Sequence, residues 1–443
     1  MKQWDYLQKD LKEERNKMKI LFIACYSPLI NNSASIETLQ YLNNLAKIDG
    51  NEIHLLTVNF PPNSIYYDEY IFSMLDKNIK LHIISGGRFF EALMPKKSSE
   101  AVNGIDNAKT SKIKPLLKKA KKIIAIPDMY LYWSYKASKY GKELMDKENF
   151  DVMFSMHEPP SSHICAYNIK KDYKDLRWIA YWSDPWLKDS TREGSSYIRR
   201  AFEGRYENKI VDMADKHIFV TKANRNDYIK TYNLKEEDTF IITRGYDSNV
   251  YDEILKEDTP KLIDKSKINL VYAGEIFSKL RDIRPFISSL NKIKEENEEL
   301  FNKLNILFFG NIDNDEIKQD LMSIKNVKVS NRIPYKEALG YMVNADVLLL
   351  FGNKNSKQIP AKIYDYFGCY GYILVVLGDK EDPIIDVIKD IDKCKISSNR
   401  EIDITNSIKD LARLIEKGQK SYLVKEYEWK NISKKLDSIL RGE

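Results

Sequence analysis

Short apolar runs, each closed by a polar or glycine-bearing turn, recur along the chain with helix-like stretches between them. Continuous runs predict strands covered on both faces, and the intervening helices predict crossovers between parallel strands. The first half holds KILFIAC (19–25), EIHLLTV (52–58), KLHIIS (80–85), DVMFSM (151–156), RWIAYW (177–182) and KHIFVT (216–221). The second holds INLVYAG (268–274), NILFFG (305–310), VKVS (327–330), ADVLLLFG (345–352) and YILVVLG (372–378). Two α/β sheets are predicted. Between the series, the polar stretch 247–267 reads as an interdomain linker with its hinge near Gly245 to Asp247, giving domains 1–245 and 246–424. Trp4, Leu7 and Leu11 form a helical stripe ahead of the first strand.

The length of 443 residues agrees with two domains. A net charge of +6, spread over 71 basic and 65 acidic side chains, is too mild for a chain that binds nucleic acid through counterion release. Four widely separated cysteines, with no C-x-x-C pair, argue against a disulfide scaffold or a structural zinc. The N-terminus is charged throughout, and apolar runs stop at six residues against the roughly 20 that span a bilayer. A soluble cytoplasmic protein is expected. Seven lysines between 109 and 122, interleaved with leucine and isoleucine, read either as a solvated helix face or as a surface for anionic lipid on the inner face of the membrane.

In doubly wound sheets ligands sit beyond the carboxyl ends of the strands, so the loops that follow each run hold the candidate chemistry. After the first run, Asn31, Asn32, Ser33 and Ser35 precede a helix whose N–H groups suit a phosphate, or whose N-terminus Ser33 or Ser35 merely caps. HEPPSSH (157–163) packs two of the five histidines beside Glu158; His157 and His163 are candidates for proton transfer or sugar binding, the alternative being a turn capped by Ser161 or Ser162. SDPW (183–186) places Asp184 beside Trp186, a pairing that suits a polyhydroxylated ligand or an ordinary turn over a buried indole.

In the second half Gly274 follows a strand directly, with Lys279, Arg281 and Arg284 behind it, cations fit to stabilise a departing diphosphate. In QIPAKIYDYFGCYG (358–371), Lys362 and Asp365 lie three apart on one helical face, the lysine for phosphate and the carboxylate for ribose hydroxyls. Two D-x-D triplets, at 313–315 and 390–392, have no further ligands nearby, and no Walker loop, G-x-G-x-x-G, G-x-S-x-G or H-E-x-x-H occurs. Neither a metal nor another cofactor is expected.

DVMFSMHEPPSSH, WIAYWSDPW, FVTKANRNDY with ITRGYD, YAGEIFSKLRDIRPF, NRIPYKEALGYMVNADVLLL and IPAKIYDYFGCYG, in this order, resemble the GT-B-fold glycosyltransferases, in particular the retaining family 4 and its bacterial surface-polysaccharide members (capsule or O-antigen). The likeness runs from Lys19 onward. It implies two facing Rossmann-like, doubly wound domains, the first for the acceptor and the second for the donor, with a C-terminal helix (425–443) crossing back onto the first. By residue it implies Asp365 at the donor ribose, and Gly274, Lys279, Arg281 and Lys362 at the diphosphate. It places Arg332 and Ile333 at the base, and His157 near the transferred sugar, with Asp184 and His163 as further catalytic candidates. Lys357 stands where the family often has an acidic residue, and NNSAS replaces its first-loop glycine pair. The expected reaction is metal-independent transfer from a nucleoside-diphosphate sugar, a UDP-sugar first among them, to a glycan or lipid-linked glycan. The alternatives are a nucleotide-sugar 2-epimerase on the same fold and a non-catalytic nucleotide-binding scaffold subunit of a glycan-assembly complex.

Overall fold

The computed structural model describes residues 17–94, 126–188, 195–355 and 358–443. The stripe at Trp4, Leu7 and Leu11, the lysine-rich stretch 109–122 and Lys357 lie outside these residues. The chain divides into two compact units, Met1–Ile242 with Ser433–Glu443, and Thr243–Ile432.

The first unit holds a seven-stranded sheet: β1 (Met18–Ile23), β2 (Asn51–Val58), β3 (Lys80–Ile84), β4 (Val152–His157), β5 (Arg177–Trp182), β6 (Lys216–Phe219) and β7 (Thr239–Ile241). The second holds six strands: β8 (Ile268–Ala273), β9 (Leu304–Phe309), β10 (Val327–Ser330), β11 (Val347–Phe351), β12 (Tyr372–Val376) and β13 (Cys394–Ser397). The orders are β3-β2-β1-β4-β5-β6-β7 and β10-β9-β8-β11-β12-β13, with every pairing parallel. Each order reverses once, between β1 and β4 and between β8 and β11, which is the doubly wound Rossmann arrangement. Every predicted run is a strand. The two strands not foreseen, β7 and β13, are short edge strands in which Ile241 and Ile396 face solvent, so no continuous apolar run marks them.

In the second unit, Leu270 and Tyr272 of β8 join one core cluster with Ile306, Phe308, Leu349 and Phe351, under the helices Arg284–Glu296 and Glu401–Glu416. Val271, Leu307, Phe309, Leu348 and Leu350 point to the other face, under Ser248–Leu255 and Tyr335–Val343. Alternate residues of each strand thus meet opposite cores, which is why these strands carry consecutive apolar residues rather than an apolar-polar alternation.

The segment read as a linker is not one. Asp247 accepts hydrogen bonds from the amides of Asn249 and Val250 and opens the helix Ser248–Leu255, whose Tyr251 and Ile254 are buried in the second unit. Charged residues on the other faces of this two-turn helix hid its stripe.

Helix starts also differ from expectation. Asn32, rather than Ser33 or Ser35, caps Ser33–Ala46 by accepting from the Ser35 amide at 2.7 Å. For Ser161–Lys170 the cap comes from 33 residues upstream: Asp128 accepts from the Ser161 amide at 3.0 Å and its hydroxyl at 2.6 Å. The Ser162 hydroxyl accepts from the Cys25 amide at 2.9 Å instead. A carboxylate at a helix N-terminus is favoured by the unpaired N–H groups there. Lys393 is fully buried and donates to the carbonyls of Tyr366, Cys369 and Tyr422 at 3.1, 2.5 and 2.9 Å, binding the end of Lys362–Phe367 to β13 and to the chain that follows. Burial pushes its pKa down to about 8.

Two stability predictions follow from these contacts. Asp128→Ala costs about 1 to 2 kcal/mol in urea unfolding of the first unit, with Asp128→Asn recovering part of it. Lys393→Met, which takes the lysine's hydrogen bonds away from the Tyr366, Cys369 and Tyr422 carbonyls, destabilises the second unit by about 2 to 4 kcal/mol; an unchanged urea midpoint would contradict the staple.

Candidate functional site

At the carboxyl end of β8 the chain turns through Gly274, whose amide donates to the Phe309 carbonyl at 2.6 Å. Gly310 sits opposite with φ of +129°, and a Cβ there would lie 2.1 Å from the Gly274 oxygen, so only glycine fits. A Cβ on Gly274 would stand 2.1 Å from Lys362 Cε and 2.4 Å from its Nζ. The Lys362 chain therefore occupies the space a side chain at 274 would need.

Lys362 opens the helix Lys362–Phe367, and Asp365 lies one turn on. That helix has only six residues, so the expected help from its positive end is replaced by the charges of the side chains themselves. Arg281 is fixed at three points, by Asn353 Oδ1 at 2.9 Å, the Glu275 carbonyl at 2.8 Å and the Tyr272 hydroxyl at 3.4 Å. Arg332 Nε lies 3.7 Å from the Glu275 carboxylate, while Ile333 packs against the core beside it. Lys279 is exposed, and Arg284 is bound to Asp282 at 2.7 Å; of the three basic residues on this loop, Arg281 is the one built into the cluster.

Burial pushes Lys362 down to about 8, helped by Arg281 and Arg332 and opposed by Asp365 and Glu275. Burial pushes Asp365 up to about 6, against the pull of Lys362, Arg244 and a Tyr251 hydroxyl at 3.4 Å. Both groups are charged at pH 7, and between those two values the cluster offers cations for phosphate beside a carboxylate for hydroxyls.

Sequence reasoning passed over four members of this cluster. Arg244 and Tyr251 fall in or beside the supposed linker; Glu275 and Asn353 follow β8 and β11 closely enough that their strand-end positions alone could have marked them.

In the first unit His157 ends β4 in register with Trp182 of β5, and the Ser183 hydroxyl donates to the His157 carbonyl at 2.6 Å. The His157 ring is 1% exposed, with Nδ1 3.6 Å from the Glu158 carboxylate and ring centroids of Trp182, Trp186 and His163 within 6 Å. Asp184 is half-buried just past β5, in a loop held by the Trp186 amide on the Tyr228 hydroxyl and the Leu187 amide on Glu207, both at 3.3 Å. Trp186 itself is fully buried and offers no face to a ligand, against the sugar-stacking reading of SDPW.

His163 is fully buried as well. Trp178 Nε1 donates to the Ser155 hydroxyl at 2.8 Å, and that hydroxyl lies 2.8 Å from His163 Nδ1. Because a serine hydroxyl can accept twice as well as donate, this contact suits either neutral imidazole tautomer and ties His163 through Ser155 to the Trp178 indole. Burial, with His217 nearby, holds its pKa down at about 3, so the ring is neutral across the working range. The structure thus places His157 and Asp184 at the ends of the neighbouring strands β4 and β5, with His163 in the following helix as a covered, neutral neighbour of His157.

Other candidates resolve into structural parts. Asp313 accepts from the Ser278 amide at 2.8 Å and Asn314 caps Asp315–Met322, which accounts for the first D-x-D. Donor atoms of Glu52, His54 and Glu148 lie within 4.8 Å of one another. The ammonium groups of Lys19 and Lys80 already stand among them, 2.5 Å from Glu148 and 2.7 Å from Glu52, making this an ion-pair cluster.

No protein-family model and no curated sequence matches this chain. Among solved structures, a glycosyltransferase from Rickettsia africae is similar over 96% of this chain and 98% of that one, with a TM-score of 0.63 and 11% identity. Sucrose-phosphate synthase from Thermosynechococcus elongatus (TM-score 0.57, 12% identity, 96% and 99% covered) is similar over the same span. So is UDP-GlcNAc 2-epimerase from Neisseria meningitidis (TM-score 0.56, 12% identity, 96% and 100% covered), solved with UDP-GlcNAc bound. At such identities the likeness establishes architecture: the chain has the paired Rossmann-like domains of the GT-B fold.

Proposed function

We propose that the protein is a glycosyltransferase that moves a sugar from a nucleoside-diphosphate donor to a glycan or lipid-linked glycan, with retention and without a metal. The observation that carries this reading is the cluster at Gly274: Arg281 and Lys362 as cations for a diphosphate, with Asp365 one helical turn away for a ribose. The R. africae and T. elongatus neighbours, a glycosyltransferase and a synthase by name, support a transferase, and the UDP-GlcNAc bound to the N. meningitidis enzyme supports a nucleotide-sugar.

In the transfer, the bond from the sugar C1 to the diphosphate oxygen breaks and its electron pair stays on that oxygen. The acceptor oxygen bonds to C1 on the face that the diphosphate leaves, and its proton passes to the departing diphosphate oxygen. Lys362 and Arg281 stabilise the charge that builds on the leaving diphosphate, and Arg281 needs no reorganisation because its three contacts already fix it. Arg332 and Ile333 would flank the base, with the exposed Lys279 an outlying member of the diphosphate set. His157, with Glu158 beside it, and Asp184 would serve the transferred sugar or the acceptor, and His163 would hold His157 in place. Among the described residues no helix is long and apolar enough to cross a membrane; contact with a bacterial membrane surface through 109–122 is part of the proposal.

Likeness to the N. meningitidis epimerase favours one second reading, a nucleotide-sugar 2-epimerase using the same nucleotide site. Conversion of UDP-GlcNAc to its 2-epimer without any acceptor would select it.

Calorimetric titration with UDP, GDP, dTDP, ADP and CMP in metal-free buffer tests the site. One nucleoside diphosphate binds, and Asp365→Asn weakens it about 10- to 30-fold, as expected for hydrogen bonds lost from a charged acceptor. Binding by none of the five would sink the donor-site assignment. The pH dependence follows from two directions. Asp365 is raised to about 6 and must be ionised to accept hydroxyls, so affinity falls below that value. Lys362 is lowered to about 8 and must be protonated to hold phosphate, so affinity falls again above it. Asp365→Asn flattens the acid limb and moves the alkaline one to lower pH, because the carboxylate that holds the Lys362 pKa up is gone.

A further inference from the structure

Around Gly274 the three cations Arg281, Arg332 and Lys362 share their space with a carboxylate from the adjacent residue, Glu275. It lies 3.7 Å from Arg332 Nε, its side chain is 31% exposed, and it acts electrostatically on Lys362. Its backbone has no freedom to carry it away. The Glu275 carbonyl accepts from the Tyr272 hydroxyl at 2.9 Å and from Arg281 Nη1 at 2.8 Å, and the main chain on its N-terminal side is pressed against Gly310.

A fixed negative charge in a phosphate cradle weakens every anion that binds there, so a site serving only to hold a diphosphate would be better without it. Turnover sets a different demand. When the glycosyl ester breaks, the diphosphate gains one ionisable oxygen, so the product is the more highly charged partner and the cations hold it more tightly than the donor.

We infer that Glu275 sets the balance between donor and product: its carboxylate offsets one cation of the cradle and penalises the free nucleoside diphosphate more than the sugar-bearing donor, so that product leaves. This rests on the donor-site reading above. Glu275 is a specificity-determining residue in this account, and Arg332 is the partner that keeps its carboxylate facing the site.

Paired titrations of wild type and Glu275→Gln with UDP and UDP-glucose, or with GDP and GDP-mannose should guanine be the base that binds, test the inference. Glu275→Gln tightens the free diphosphate about tenfold, the order expected for one charge removed at several ångströms in a partly solvated site, and tightens the sugar ester clearly less. Glu275→Ala, checked with its partner variant for an unchanged unfolding midpoint, repeats the pattern. Equal tightening of both ligands, or weaker binding of the diphosphate, overturns the inference while leaving the donor site standing. A wild-type protein that binds none of the five nucleotides of the preceding titration removes the donor site itself, and the inference with it.

Discussion

The second unit's chemistry hangs on one steric fact: the Lys362 side chain lies where residue 274 would carry its own. That placement brings an ammonium to the end of β8 from a helix that follows β11, the two strands flanking the point where the sheet order reverses. It requires glycine at 274, and the close approach of the 274 and 310 backbones requires glycine at 310. Once the lysine is set, its neighbours have defined tasks. Asp365 sits one turn away to oppose its desolvation, and Arg281 is held off it by the Asn353 side chain, the Tyr272 hydroxyl and the Glu275 carbonyl. A like-charged pair can persist side by side only because each member is anchored to a different element.

The first unit handles its ionisable groups in the opposite way. His163 and His217 are buried and held neutral, each tied to an indole network: His163 through Ser155 to Trp178, and His217 accepting from Trp182 Nε1 at 3.2 Å. These rings work as polar packing: His217 takes up the buried Trp182 N–H directly, and His163 pairs with the Ser155 hydroxyl that takes up the Trp178 N–H. His157 is buried as deeply as these two, and what separates it from them chemically is the Glu158 carboxylate 3.6 Å from its Nδ1.

The inner strands were legible because their residues are buried on both faces; Leu270, Val271 and Tyr272 each meet a core. The half-exposed edge strands β7 and β13 left no such mark. That Lys362, Asp365 and Arg281 belong to one cluster is readable from their places after strands, while the residues that position them lie far away in sequence. Tyr251 reaches Asp365 across 114 residues, and Arg281 meets Asn353 across 72. The same holds for Asp128, whose capping of Ser161 depends on a contact that no local motif encodes. Trp186 misled because an indole next to an aspartate looks alike whether it faces a ligand or a core.

The helix Trp429–Arg441 begins in the second unit and ends in the first, where Leu436 and Leu440 are fully buried and Asp437 accepts from Asn51 at 2.7 Å. In genetic terms the second unit is therefore an insertion within the first. Ribosomal synthesis delivers the whole of the inserted unit before the segment Ser433–Glu443 that completes its host. The first unit thus takes its last buried side chains, Leu436 and Leu440, from chain made after the inserted unit, and no contiguous stretch of the gene encodes the first unit alone.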